Sequence, residues 1–204
     1  MHRIVLASSS PRRRMLLGKI TDSFEVVSSD VDERSIEEEI MKSCSSLSRP
    51  AAADKLCRAL ARCKAFDVYE KLGRPANTVV IGADTSVALS DEILGKPSDR
   101  NDAVRMLRKE SLEPQKVVTG VCIIADGKEE VFSEFSSVYF KPLDDAQEAR
   151  IQMYCDSDEP YDKAGAYGIQ DGADALVAGF EGSYDNIVGF PSETMKIKLE
   201  KYLK

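Results

Sequence analysis

The stretch VVTGVCIIADGKEEVFSEFSSVYF, residues 117–140, decides the fold. It opens with the apolar run VVTGVCIIA, 117–125, and closes with a second β-rich run, VFSEFSSVYF, 131–140. Between them stands Asp126-Gly127, a pair that readily takes the two positive φ angles of a two-residue hairpin turn. Strands joined so tightly must run antiparallel, because a parallel pair needs a long crossover.

Outward from this hairpin the chain alternates strands and helices. RIVLA, 3–7, reads as a short buried strand, followed by a helix with Ser10 as N-cap and Pro11 at its first position. FEVVS, 24–28, reads as a second strand. The acidic run Asp30–Glu39 reads as a solvated surface with one or two carboxylates free to face a site, and Ser43–Ser48 as a mobile Ser-rich piece. Leu56, Leu60, Cys63 and Phe66 recur at helical spacing and predict a long helix over about 50–72, stopped by Gly73-Arg74-Pro75. TVVIGAD, 78–84, is a buried strand ending on an acid, with SVALS, 86–90, expected as a short hairpin partner. GKPSD leads into a helix over about 99–110 capped by Ser98 or Asp99. Asp144 caps another that reaches Cys155. A polar, Gly-rich loop spans 156–174, ALVAGFEG, 175–182, is a strand, and a last helix starts near Pro191. Alternation with hairpins in the middle predicts an α/β fold with a mixed sheet and flanking helices, not a purely parallel one.

Composition narrows the function. A chain of 204 residues with 43% hydrophobic content suits one domain, or one domain with two lobes. A net charge of −7 repels nucleic acid and anionic membrane, and no basic stripe offsets it, so neither is an expected partner. A small anionic substrate stays open if cations concentrate at one site. Five cysteines without a CxxC suggest neither a disulfide framework nor a thiolate zinc site. His2 is the one histidine, so any metal would be held by carboxylates, phosphates and water, which points to Mg²⁺ or Mn²⁺. No apolar run approaches membrane length and no signal peptide is visible, so a cytoplasmic location is expected.

Six motifs carry candidate chemistry. ASSSPRRR, 7–14, puts three arginines at a helix N-terminus, where exposed N–H groups already carry partial positive charge. A bound anion would reverse that penalty, and serine hydroxyls, arginine forks and backbone N–H groups would converge on phosphate oxygens. Solvated arginines on an exposed helix start are the alternative. Asp84, at the end of a buried strand, is either a turn cap or a group that binds metal or deprotonates water. Lys96 sits in the turn Gly95-Lys96-Pro97, and Lys64 lies on the long helix beside Arg62; each could also be an ordinary surface lysine. Glu33 belongs to the acidic run. In DKAGAYGIQDGADAL, 162–176, Gln170 offers an amide donor and acceptor that suit a pyrimidine edge, unless the loop is merely surface.

Taken together, LASSSPRRRMLL at 6–17, ARCKA at 61–65, GADTSV at 82–87, LGKP at 94–97, TGV at 119–121, DEPYDKAGAYGIQ at 158–170 and GSYDNIVGFP at 182–191 resemble the Maf family of nucleotide pyrophosphatases over nearly the whole chain. The resemblance implies an elongated mixed α/β fold, related to inosine triphosphatases, with two lobes around a deep central cleft in a single domain over 1–204. It implies hydrolysis of a nucleoside triphosphate to the monophosphate and pyrophosphate with a divalent metal, Mg²⁺ or Mn²⁺, and it suggests a homodimer. It assigns Asp84 as proton acceptor, Ser8, Arg12, Arg13, Lys64 and Lys96 as phosphate contacts, and Glu33 with Asp84 near the metal. Arg12, Thr85 and Gln170 match the subgroup acting on dTTP and UTP, while Arg14 is expected to be a solvated helix residue. Cys63 stands where the family often has Glu, and Asp171 where it often has Gly. The alternative within the same resemblance is a nucleotide-binding regulator of cell division and septum formation that needs no turnover.

Overall fold

The computed structural model describes residues 2–204. Its strands are β1 (Arg3–Leu6), β2 (Glu25–Val26), β3 (Thr78–Ala88), β4 (Ile93–Leu94), β5 (Gln115–Ala125), β6 (Lys128–Phe140) and β7 (Val177–Glu181). Its helices are α1 (Pro11–Gly18), α2 (Glu33–Lys42), α3 (Arg49–Lys71), α4 (Arg100–Glu110), α5 (Asp145–Cys155), α6 (Tyr184–Val188) and α7 (Ser192–Leu203). The sheet runs β2-β1-β3-β5-β6-β7, with β4 paired to β3. β2, β1 and β3 are parallel; every other pairing is antiparallel. The mixed sheet is thus as expected. The β5–β6 turn has positive φ at both Asp126 (49°) and Gly127 (76°), as a two-residue hairpin of this hand requires.

Alternation along the strands sorts the core into two faces. On one, Val80, Cys122 and Ile124 pack against Ala61, Ala65 and Val68 of α3. On the other, Val79, Ile81, Val121 and Ile123 meet Leu16 and Leu17 of α1, Leu107 of α4, Ile151 of α5 and Leu199 of α7. The caps follow the local sequence. The Ser10 hydroxyl accepts from the Arg13 N–H, Asp99 caps α4 and Asp144 caps α5. α3 ends in a Schellman turn, Arg74 N–H to Tyr69 O at 3.0 Å and Gly73 N–H to Glu70 O at 2.8 Å.

One reading needs correction, and three further segments are more structured than their sequence suggested. SVALS is not a hairpin partner: β3 continues unbroken through Ala88, and the turn comes later, where the Leu89 N–H bonds Glu92 O at 2.8 Å before β4. Thr85 and Ser86 look like turn formers but are bonded within the fold, to Thr119 Oγ1 at 3.0 Å and from Cys57 Sγ at 3.1 Å. The acidic run is largely helical, α2, capped by Asp32 on the Ser35 N–H. The Ser-rich piece forms turns that fully bury Cys44. The loop after α5 holds three short 3₁₀ turns, Glu159–Asp162, Ala164–Ala166 and Ala173–Ala175.

The topology leaves a gap on one side of β3. β1 pairs with it only as far as Ile81, the Ala7 N–H adds a bond to Ile81 O, and the chain then turns away into Ser8–Ser10. β4 takes up that edge again only at Val87. Between these points β3 borders a cleft of ≈ 390 Å³. A crevice beyond the carboxyl end of a parallel strand is where open α/β sheets bind ligands.

Candidate active site

Ser8, Arg12, Arg13, Glu33, Lys64, Asp84, Thr85, Lys96 and Gln170 all line this one cleft. Arg14 is exposed and lies outside it.

The floor is set by α3 and β3. Gly82 and Gly120 let α3 rest directly on the sheet. A Cβ on Gly82 would lie 2.2 Å from Ala61 O, and one on Gly120 2.4 Å from the Cys57 carbonyl carbon. Asp84 is opposite Gly120 in the ladder and so shares this face. Lys64, reaching from α3, is 6% exposed and Asp84 8%. The Lys64 ammonium donates to Asp84 Oδ1 at 2.7 Å and to Glu33 Oε2, at the start of α2, at 2.8 Å. A buried charge of this kind persists only when paired and hydrogen-bonded. Among the described residues the second oxygen of Asp84 has no hydrogen-bond donor, so it can accept a proton from a group in the cleft.

One wall comes from the loop before α1. The Ser8 hydroxyl accepts from the Ser10 N–H at 3.2 Å and from the Arg13 guanidinium at 3.4 Å. Arg13 also donates to Gly189 O at 3.0 Å and to Thr85 Oγ1 at 3.1 Å, tying the chain's first helix to the turn before α7. Burial pulls the Arg13 guanidinium below the ordinary arginine range, and the nearby Asp84 charge opposes that. Thr85 lies on the other face from Asp84 and bonds Thr119, whose hydroxyl donates to Asn186 O at 3.0 Å.

The facing wall is the segment after α5. Gln170 is exposed there, and Lys96 is exposed with no ionic partner among the described residues. Lys163, 6% exposed, lines the cleft as well, yet its motif drew attention only to Gln170. Lys163 donates to Glu159 O at 2.6 Å, Glu159 Oε2 at 3.0 Å and Asp162 Oδ1 at 2.8 Å. Burial opposes its charge, but the bonds to Asp162 and Glu159 outweigh that and raise its pKa. Arg12 donates to Asp162 Oδ2 at 3.2 Å and lies 3.9 Å from Asp171 Oδ2.

The cleft therefore gathers Arg12, Arg13, Lys64, Lys96 and Lys163 in a chain that is acidic as a whole. Hydroxyls and cations on its walls can neutralise a polyphosphate, and the floor supplies a carboxylate positioned by an ammonium. Asp84 and Glu33 converge on a single ammonium, so their carboxylates are neighbours. Among the described residues no three acidic, histidine or cysteine side chains cluster as a metal cage. Two hard oxygen donors suit a Mg²⁺ or Mn²⁺ ion that completes its shell with phosphate oxygens and water, and do not suit a structural zinc site.

The sequence profile of the Maf-like protein family matches residues 3–202. A dTTP/UTP pyrophosphatase of Thermococcus gammatolerans is 44% identical over 190 residues, covering 93% of this chain and 91% of the relative. One of Hahella chejuensis is 44% identical over 189 residues, covering 93% and 87%. One of Acetivibrio thermocellus is 44% identical over 197 residues, covering 94% and 90%.

Proposed function

The chain belongs to the Maf family, and from that premise we propose that it hydrolyses nucleoside triphosphates, dTTP and UTP foremost, to the monophosphate and pyrophosphate. The relatives are named for that activity. The observation that carries the proposal is the buried Lys64 bridge between Asp84 and Glu33 at the floor of a cation-lined cleft.

In the proposed reaction Ser8, Arg12, Arg13, Lys64 and Lys96 hold the triphosphate and stabilise charge on the departing pyrophosphate. Water attacks the α-phosphorus. A new P–O bond forms there, the bond to the bridging oxygen breaks, and pyrophosphate leaves with the electron pair. The free oxygen of Asp84 takes the proton lost by the water. Lys64 holds Asp84 in place through its other oxygen, so the base cannot swing from the cleft. Glu33 or Asp84 would hold a Mg²⁺ or Mn²⁺ ion, which supplies further neutralisation of phosphate charge when bound. Thr85 and Gln170, with Arg12, would select the base. Among the described residues all five cysteines are free and no helix is long and apolar enough to cross a membrane. Free thiols suit a reducing compartment, and we assign the reaction to the cytoplasm.

The test is pyrophosphate release from dTTP and UTP with Mg²⁺ or Mn²⁺ present. Asp84→Asn should lower kcat by about 10²–10⁴-fold, the usual range for a lost general base, with KM little changed. Undiminished turnover in the variant would remove Asp84 from the base role.

A further inference from the structure

We propose that Asp171 is a positioning residue for base selection, acting through the turn that presents Gln170. The inference rests on the proposed reading of the cleft and concerns a residue that reading does not use.

The geometry centres on one carboxylate oxygen. Asp171 Oδ2 lies 3.4 Å from the Lys163 ammonium and 3.9 Å from the Arg12 guanidinium. It also packs over Gly168: a Cβ there would lie 2.5 Å from Asp171 Oδ2 and 2.6 Å from Lys163 Cε. The absent side chain at Gly168 is what lets the lysine stem and the carboxylate close over the backbone. The turn below them is bonded at both ends. The Asp171 N–H donates to Gly168 O at 2.8 Å, and the Gly168 N–H donates to the Tyr154 hydroxyl of α5 at 3.1 Å. Gln170 sits within this turn, immediately before Asp171, and lines the cleft.

Gln170 has no side-chain hydrogen bond of its own to the protein among the described residues, so its placement depends on the backbone beneath it. Asp171 ties that backbone to Lys163. Lys163 in turn shares Asp162 with Arg12 of α1, Oδ1 to the lysine and Oδ2 to the arginine. The carboxylate therefore links the base-reading turn to the wall that grips phosphate. Arg12 and Lys163 stand against Glu159, Asp162 and Asp171, two positive charges against three negative. Removing the Asp171 carboxylate leaves the cations balanced, so phosphate binding need not suffer, while the Gln170 turn loses its tie to Lys163.

The experiment compares wild type with Asp171→Asn, Asp171→Ser and Asp171→Glu. It measures kcat and KM for UTP and GTP, inhibition by inorganic tripolyphosphate, which has no base, and the unfolding midpoint. Asp171→Asn should cut the UTP-over-GTP ratio of kcat/KM by about five- to tenfold, chiefly through the KM for UTP, a size fitting the loss of a charge-assisted contact. Asp171→Ser should match it, Asp171→Glu should recover part of the ratio, and the tripolyphosphate inhibition constant should stay within about twofold of wild type. An unchanged ratio in both the Asn and Ser variants overturns the proposal. So does a parallel change in both nucleotides and tripolyphosphate, which would make Asp171 a general charge effect. A wild type that cannot distinguish UTP from GTP would sink the Gln170 assignment and this proposal together. A wild type that discriminates, with variants that do so equally well, leaves the Gln170 assignment standing and removes only Asp171.

Discussion

Glu110 shows how a single side chain can oppose the fold that holds it. It closes α4, is 1% exposed, and neither of its oxygens has a hydrogen-bond partner among the described residues. It faces Gly165, whose Cβ would lie 2.6 Å from Glu110 Oε1, and the buried, unpartnered Tyr167 hydroxyl belongs to the same segment. Desolvation raises its carboxyl well above the ordinary 4.5. A folded pKa above the unfolded one means the native state binds this proton more tightly. Its contribution is therefore intact below about pH 4.5 and is lost as pH rises toward the folded value. Glu110→Gln removes the titration, so the variant should gain on wild type as pH rises, with a slope of at most about 1.4 kcal/mol per pH unit. Urea unfolding of both proteins between acid and neutral pH measures this; a constant difference between them would acquit Glu110. The opposite case is Lys64, equally buried but bonded on two sides. Sequence marks Lys64 as a candidate phosphate contact and Glu110 only as a charged helix residue, and it shows the partners of neither. What separates them is which partners the folded chain brings near, and those partners come from other elements.

At the level of elements, the junction of α3 with the sheet positions the floor of the cleft. Gly82 and Gly120 are there because α3 backbone atoms occupy the space a side chain would take. Gly82→Ala or Gly120→Ala should cost about 1–3 kcal/mol or more, as overpacking of a tight core does. Since α3 must lift, Lys64 shifts against Asp84, and kcat should fall with stability. Gly179→Ala in β7 is the control: a Cβ there meets nothing within 4 Å, and stability and turnover should hardly change. Urea midpoints and steady-state rates of the three variants decide the point, and equal losses in all three would reject the packing account. The long helix itself was legible because its apolar residues keep a 3.6-residue period. Two elements were illegible for opposite reasons. α2 buries no residue: Ile36, Ile40 and Met41 keep helical spacing but are only half-buried, and the charges around them read as plain solvated surface. α6 is five residues long, too short to show a period, and is defined by Ser183 capping the Asn186 N–H and by Gly189 at φ 114°. The full length of β3 was hidden because Thr85 and Ser86 satisfy their hydroxyls across the fold, on Thr119 and Cys57.

Across the whole molecule, the cleft is assembled from segments spread along nearly the full chain, from Ala7–Arg13 through Glu33, Lys64, Asp84 and Lys96 to Asp162–Gln170 and Ile187–Gly189. Each motif was readable in sequence, but the ion pair joining Arg12 to Asp162 and the hydrogen bond from Arg13 to Gly189 O cross some 150 residues or more and have no local signature. A ligand held by all these segments binds the folded state and no unfolded one, so it should stabilise the entire chain. Asp84→Asn allows this to be measured without turnover. At about 100 times its Kd, dTTP with Mg²⁺ should add about 2.7 kcal/mol, or about 5–11 °C in Tm for a domain of this size. Lys96 locates the effect. It is exposed and has no ionic partner among the described residues, so Lys96→Gln in the Asp84→Asn background should leave the unliganded Tm unchanged. It should cost about tenfold in affinity, which at the same dTTP concentration roughly halves the shift. A full shift in the Lys96→Gln protein would take that lysine off the phosphates. No shift with dTTP in the Asp84→Asn protein, where every other wall residue is present, would mean that the cleft does not bind this triphosphate.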